Sequence, residues 1–173
     1  IRRELGVKTF FNMLGPMVNP SFPKNQMVGV FNLELARMYG YLYQNTDKNF
    51  TILHALDGYD EISLTCETKV ISNKTETMVT PEYFGVRKLN QEEIAGGNYI
   101  ESSSKIFMNV ISGHGTEAQN NVVCANAAMA IATVKQIEPS EAFVLAKESL
   151  ESGKALEKLK ALQKISNQLT VNG

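Results

Sequence analysis

The run Ile52-Leu53-His54-Ala55-Leu56 constrains this chain most, because it is closed by Asp57-Gly58 and followed at once by Tyr59-Asp60-Glu61. A short apolar run ending in Asp-Gly reads as a buried strand entering a tight turn, since Asp bonds its own backbone and Gly tolerates positive φ. Three carboxylates then crowd the end of one strand. In open α/β sheets that end is where ligands bind, and a hard cation such as Mg²⁺ takes one or two carboxylates while keeping water and substrate phosphates in its shell. On these five residues alone an ordinary acidic surface turn is the commoner explanation.

The surrounding segments supply context. Gln26-Met27-Val28-Gly29-Val30-Phe31 is β-rich, a helical pattern follows from Leu33 to Tyr43, and the next strand covers Thr51 to Leu56. Two short strands joined by a helix predict a βαβ unit with parallel pairing. Thr68 to Ser72 and Thr75 to Val79 alternate β-branched and polar residues around Asn73, which reads as a small antiparallel hairpin or two linked edge strands. Helical spacing recurs over Ser102 to Ser112 and Thr116 to Val134, where Val122, Val123, Ala127, Ala130, Ile131 and Val134 form the expected inner face. Pro139 opens a further helix striped by Ala142, Leu145, Ala146 and Leu150, and in the last one Leu156, Leu159, Leu162 and Ile165 face inward. The fold class expected is α/β: a mainly parallel sheet flanked by helices, with the hairpin and C-terminal helices, in one domain over residues 1–173.

Composition excludes several functions. With 173 residues, 43% hydrophobic and 20% charged, the chain can bury a proper core. Lys plus Arg total 17 against 18 Asp plus Glu, so no basic field recruits nucleic acid or an anionic membrane. Cys66 and Cys124 stand far apart and outside metal spacing, which reads as two reduced thiols. No apolar run approaches the ~18 residues of a membrane span, and Ile1-Arg2-Arg3-Glu4 lacks a signal peptide's apolar core, so a cytoplasmic location is expected. His54 and His114 lack metal-ligand partners at the usual spacing and read as structural, and Gly113-His114-Gly115 reads as the start of a helix in preference to a phosphate loop. Thr9 to Pro20 is apolar but bent by Gly15-Pro16, and fits a wall of a pocket and a packed connector equally.

Arg2-Arg3-Glu4-Leu5-Gly6-Val7-Lys8-Thr9-Phe10-Phe11-Asn12-Met13-Leu14-Gly15-Pro16-Met17-Val18-Asn19-Pro20 resembles a signature of the anthranilate phosphoribosyltransferase family. Asp57-Gly58-Tyr59-Asp60-Glu61 is similar to that family's Asp-Gly-x-Asp-Glu metal motif, Pro81-Glu82-Tyr83-Phe84-Gly85 to its Pro-Glu-x-Phe-Gly segment, and Asn126-Ala127-Ala128 and Ser152-Gly153-Lys154-Ala155 to its C-terminal helices. The resemblance implies transfer of a phosphoribosyl group from 5-phosphoribosyl 1-diphosphate to the amine of anthranilate, in tryptophan biosynthesis. It further implies Mg²⁺ held by Asp60 and Glu61, an Arg2 guanidinium on the anthranilate carboxylate, and Gly15 and Pro16 lining the aromatic ring. Met17-Val18 stands where many relatives carry Leu-Thr, and Gln119-Asn120-Asn121 lacks a charged pair common in the family. A pyrimidine nucleoside phosphorylase-like enzyme is the alternative within the enzyme class, and a non-catalytic nucleic-acid binder of the same fold is the alternative outside it.

The resemblance covers only the family's C-terminal α/β part. The family's glycine-rich donor loop and N-terminal helices, through which it forms homodimers, are absent from these residues, and the chain reads as a cut piece of something longer. Residues 1–173 alone should therefore fold cooperatively yet fail to release pyrophosphate from the donor with anthranilate and Mg²⁺, because displacement chemistry depends on holding both reactants. Turnover comparable to an intact enzyme would refute this.

Overall fold

The computed structural model describes residues 14–171. β1 (Asn25–Gly29) leads into α1 (Leu33–Tyr43), which returns to β2 (Asn49–Ala55). Asn32 starts the helix: its backbone is extended and its side-chain oxygen accepts the Leu35 N–H at 2.8 Å, satisfying one of the unpaired donors of the first turn. β1 and β2 run parallel, with Val28 opposite Ile52 and Gly29 opposite Leu53, as the βαβ pattern predicts. The first strand lies a little earlier than its apolar run suggested, because its pairing begins at Asn25 and gives way after Gly29.

Beyond β2 the sheet departs from the mainly parallel expectation. β3 (Thr68–Ser72) pairs antiparallel with β2 and β4 (Glu76–Val79) antiparallel with β3, giving the order β1-β2-β3-β4 among the described residues. The reason is the connection. Residues 56–67 carry no helix, and the Leu56 N–H donates to the Glu67 carbonyl at 2.9 Å, so the chain turns straight back beside β2 and pairs antiparallel. The predicted hairpin is present, and its corner is tied to the start of β2: the Asn73 side chain accepts the Phe50 N–H and donates to the Lys48 carbonyl, both at 2.7 Å.

β2 is buried on both faces, which explains its continuous apolar run. Phe50 and Ile52 join Val28, Leu35, Ala36, Tyr39, Tyr43 and Ile71 beneath α1. Leu53, on the opposite face, joins Val70, Val79 and residues of the later helices. Those helices are α2 (Ile100–Ile111), α3 (Glu117–Lys135), α4 (Pro139–Glu151) and α5 (Lys154–Val171).

α3 is capped by Thr116 and Gln119, whose side chains each accept the other's backbone N–H. Its buried side is shifted from the one expected: Cys124, Ala125, Ala128, Met129, Ala132 and Thr133 face inward and Val122, Ala127 and Ile131 pack half-buried at the edge of the core, whereas Val123 and Val134 lie exposed. Several stripes of three-to-four spacing coexist in this Ala-rich helix. Close packing against the sheet and α4 selects the face of small side chains. In α4, Phe143 is buried alongside Ala142, Ala146 and Leu150, and Leu145 is left at the exposed edge.

The inward stripe expected for α5 also fails beyond its first turns. Ala155 packs on the core and Leu156 and Leu159 are half-buried, but Leu162 is 64% exposed and Ile165 55% exposed. From Lys160 to Gln168 every side chain is exposed, because the helix runs past the packed body.

These placements separate two leucines that look alike in sequence. Leu53→Ala should cost about 3 kcal/mol of stability by leaving a cavity in the centre of the sheet. Leu162→Ala should cost less than about 0.5 kcal/mol. Denaturant midpoints measure both, and equal losses would mean that α5 is packed along its whole length.

Candidate functional site

Because β1 and β2 are parallel, their C-terminal ends open on the same side of the sheet. The Val30 N–H continues the pairing to the Leu53 carbonyl at 2.9 Å, and the buried His54 ring meets the Val30 carbonyl through Nδ1 at 2.9 Å. A carbonyl only accepts, so Nδ1 carries the proton and His54 is a structural tie between the strand ends, as its sequence context indicated.

The turn that leaves β2 is closed on itself. The Gly58 N–H donates to the Ala55 carbonyl and the Ala55 N–H to the Tyr59 carbonyl, both at 2.9 Å. Gly58 has φ +102°, a conformation that glycine adopts without strain. The Asp57 carboxylate is engaged by its own loop. Thr65 Oγ1 donates to Asp57 Oδ2, Ser63 Oγ reaches both carboxylate oxygens at 3.4 Å, and the Asp57 N–H donates to Cys66 Sγ at 3.3 Å. Burial pushes the Asp57 carboxyl up, but donated bonds from Thr65, Cys66, its own backbone and Ser63 outweigh it and hold the group below the usual carboxylate range. Burial and the neighbouring Asp57 together push the Cys66 thiol up, which keeps it protonated.

Asp60 and Glu61 differ from Asp57. All three are exposed, but neither the Asp60 nor the Glu61 carboxylate meets a hydrogen-bond or ion-pair partner among the described residues. Their backbone, in contrast, is tightly held. The Asp60 main chain crosses the end of β1 at Gly29, where a Cβ would stand 1.7 Å from the Asp60 carbonyl oxygen. On the other side Asn126 of α3 bonds both backbone groups of Ile62, accepting its N–H at 2.9 Å and donating to its carbonyl at 2.8 Å. Sequence reasoning did not single out Gly29 or Asn126 for this task. A polar amide within an Ala-rich buried helix was the available signal, since such a group must find partners.

The remaining sequence-predicted residues lie elsewhere. Arg2 falls outside the described residues. Gly15 and Pro16 form a turn in which the Met17 N–H donates to the Leu14 carbonyl at 2.9 Å. The Pro16 carbonyl accepts from Gln26 Nε2 and, at 3.3 Å, from the Tyr43 hydroxyl. Gln26 is the second residue of β1 and Tyr43 ends α1, so this anchorage is at the end of the sheet away from Asp60 and Glu61. The structure thus brings the two carboxylates together but does not join Gly15 and Pro16 to them. Gly115 lies against Val110 and Asn120, with no room for a Cβ, consistent with Gly113 to Gly115 acting as the start of α3.

Among the described residues no three His, Cys, Asp or Glu side chains group to hold a metal ion. Two free carboxylates are hard oxygen donors that fit Mg²⁺ as a partial shell, with the other positions left to water and phosphate oxygens. The C-terminal ends of parallel strands are where open α/β sheets bind ligands, and the acidic turn stands there.

Residues 1–156 match the family described as glycosyl transferase family, a/b domain, and the chain belongs to that family. It is 71% identical over 166 residues to the anthranilate phosphoribosyltransferase of Flavobacterium johnsoniae, covering 96% of this chain and 50% of that protein. It is 52% identical to the enzyme of the same name from Bacteroides fragilis, over 92% of this chain and 49% of that one. The chain therefore spans about half the length of the curated relatives it matches. Among solved structures it is similar to anthranilate phosphoribosyltransferase from Thermus thermophilus, with TM-score 0.84 and 28% identity over 92% of this chain and 48% of that one. It is also similar to the Saccharomyces cerevisiae enzyme in complex with PRPP and Mg, with TM-score 0.82 and 26% identity over 92% of this chain and 46% of that one. No helix among the described residues is long and apolar enough to cross a membrane.

The Asp57 network predicts a pH dependence. A carboxyl whose folded pKa lies below its unfolded value stabilises fully above the ordinary value of about 3.9, and that contribution is lost as pH falls through the folded value. Asp57→Asn should therefore lower the unfolding midpoint at about pH 7, and the gap to the parent should close as pH falls below about 4. A gap independent of pH would show that the Asp57 charge is not what the network holds.

Proposed function

We propose that residues 1–173 form a single α/β domain, the C-terminal part of a cytoplasmic anthranilate phosphoribosyltransferase. The intact enzyme would transfer the phosphoribosyl group of 5-phosphoribosyl 1-diphosphate to the amine of anthranilate, with release of pyrophosphate, in tryptophan biosynthesis. The observation that carries this reading is the pair Asp60 and Glu61, exposed and unpaired among the described residues beside the parallel strand ends, on a backbone fixed from two sides. The relatives that bear this name, and the yeast structure in complex with PRPP and Mg, support it.

Asp60 and Glu61 would hold Mg²⁺, whose chemistry is to offset the negative charge that develops on a departing pyrophosphate. Asp57 takes no part in that shell. Its carboxylate staples the loop through Thr65 and Ser63, so that the next two acidic side chains emerge in a fixed direction. Arg2 would grip the anthranilate carboxylate, which a planar guanidinium meets with two parallel hydrogen bonds. Gly15 and Pro16 would line the ring, a role carried by the resemblance of their segment alone, since in this structure they are anchored at the end of the sheet away from the acidic pair. No nucleic acid or membrane enters the reaction. The intact enzyme would be a homodimer through its N-terminal helices.

The test uses the intact enzyme. Asp60→Asn combined with Glu61→Gln should lower Mg²⁺-dependent turnover by about a hundredfold or more, and unchanged rates across a Mg²⁺ titration would refute the assignment. In the same assay Arg2→Ala should raise KM for anthranilate more than KM for the sugar donor. Equal effects on both would make Arg2 structural.

A further inference from the structure

Asn126 lies midway along α3, and its side chain makes three hydrogen bonds. Oδ1 accepts the Ile62 N–H at 2.9 Å, while Nδ2 donates to the Ile62 carbonyl at 2.8 Å and to the Val122 carbonyl at 2.9 Å. The orientation of the amide follows from its partners, because reversing it would set N–H against N–H and oxygen against two oxygens. An amide that engages both the donor and the acceptor of one residue fixes the position and the orientation of that residue's backbone. The bond to Val122 locks the amide to its own helix, so the clasp cannot swing.

Ile62 directly follows Glu61, and its side chain is buried in the core, 2% exposed. One residue before Glu61, the Asp60 backbone presses on Gly29 so closely that no Cβ fits. Residues 60–62 are therefore clamped between the end of β1 and the middle of α3. Only the two carboxylates project from the clamp. Elsewhere α3 is joined to the sheet by the Thr133 and Thr51 hydroxyls, 2.7 Å apart and near the opposite end of β2. That bond holds the fold together without reaching the acidic turn.

We infer that Asn126 is a positioning residue for phosphoribosyl transfer: its clasp on Ile62, against the wall at Gly29, sets where the Asp60 and Glu61 carboxylates meet the metal and pyrophosphate oxygens. This rests on the reading of the acidic pair given above. Asparagine is required because aspartate could still accept the Ile62 N–H but could not donate to the two carbonyls. Loss of the clasp leaves the carboxylates in place chemically and frees them to wander, which weakens metal binding more than acceptor binding.

The experiment compares Asn126→Ala, Asn126→Asp and the control Thr133→Val in the intact enzyme. Three quantities are measured: the Mg²⁺ concentration giving half-maximal turnover, KM for anthranilate, and calorimetric binding of Mg²⁺ with pyrophosphate in the absence of acceptor. Both Asn126 variants should raise the half-maximal Mg²⁺ concentration and weaken the calorimetric binding by about fivefold or more, the scale of one lost hydrogen bond, with KM for anthranilate unchanged. Thr133→Val should lower the unfolding temperature without moving either metal readout. Asn126 variants that merely lose thermal stability, as Thr133→Val does, would overturn the inference. If Asn126→Ala does not fold, the isosteric Asn126→Asp carries the test, and failure of both to fold would also overturn it by showing that the clasp serves the fold alone. A parent enzyme without Mg²⁺-dependent pyrophosphate release would instead refute the functional reading.

Discussion

The burial of β2 on both faces is the constraint from which the rest of this structure follows. From Phe50 to Ala55 no residue of the strand is exposed, and alternate side chains feed two separate apolar clusters. At roughly 25 cal/mol per Å² of apolar surface removed from water, a strand covered on both sides contributes twice over, and displacing it would open both clusters together. Its end point is therefore fixed by packing on both sides. The acidic turn begins at that end.

Inside this apolar frame a few polar groups decide how elements are aligned. Thr51 with Thr133 ties α3 to the sheet, His54 with the Val30 carbonyl ties the two parallel strand ends, and Asn126 with Ile62 ties α3 to the turn. Each such bond is worth only about 1 kcal/mol net, but leaving one member unpaired in a buried setting costs about 1–3 kcal/mol. Apolar packing tolerates small slips along a helix. Satisfied hydrogen bonds do not, so the register between α3 and the sheet is specified by these polar contacts more than by the Ala-rich surface between them.

The periphery is held differently. α2 buries only Val110 fully, with Ile100 85% exposed, and α5 leaves the packed body after its first turns. Helical periodicity is thus present where burial is not. An amphipathic pattern records that a face can be buried, and the neighbours determine whether it is. For Leu162 and Ile165 no described neighbour covers the face, whereas the equally spaced Ala142, Ala146 and Leu150 lie under α3.

Much of the local structure was legible in the residues themselves. The βαβ start, the hairpin around Asn73 and the acidic turn after Leu56 all follow from short-range rules: side-chain period, turn chemistry and the conformational freedom of Gly58. The antiparallel direction of β3, the small-residue face chosen by α3 and the clamp on residues 60–62 did not follow. Strand direction depends on whether a crossover helix fits between partners. The buried face of α3 depends on which surfaces approach it. Asp57 and Asp60 are alike in sequence, but one became a staple and the other a carboxylate unpaired among the described residues, because Thr65 and Ser63 return to the first while Gly29 meets only the backbone of the second and Asn126 that of Ile62. Residue type and spacing determine which groups can bond, because those preferences act over a few residues. Which of them remain unpaired at the strand ends is decided by contacts between segments far apart in the chain, such as Ile62 and Asn126, and these exist only once the fold has brought them together.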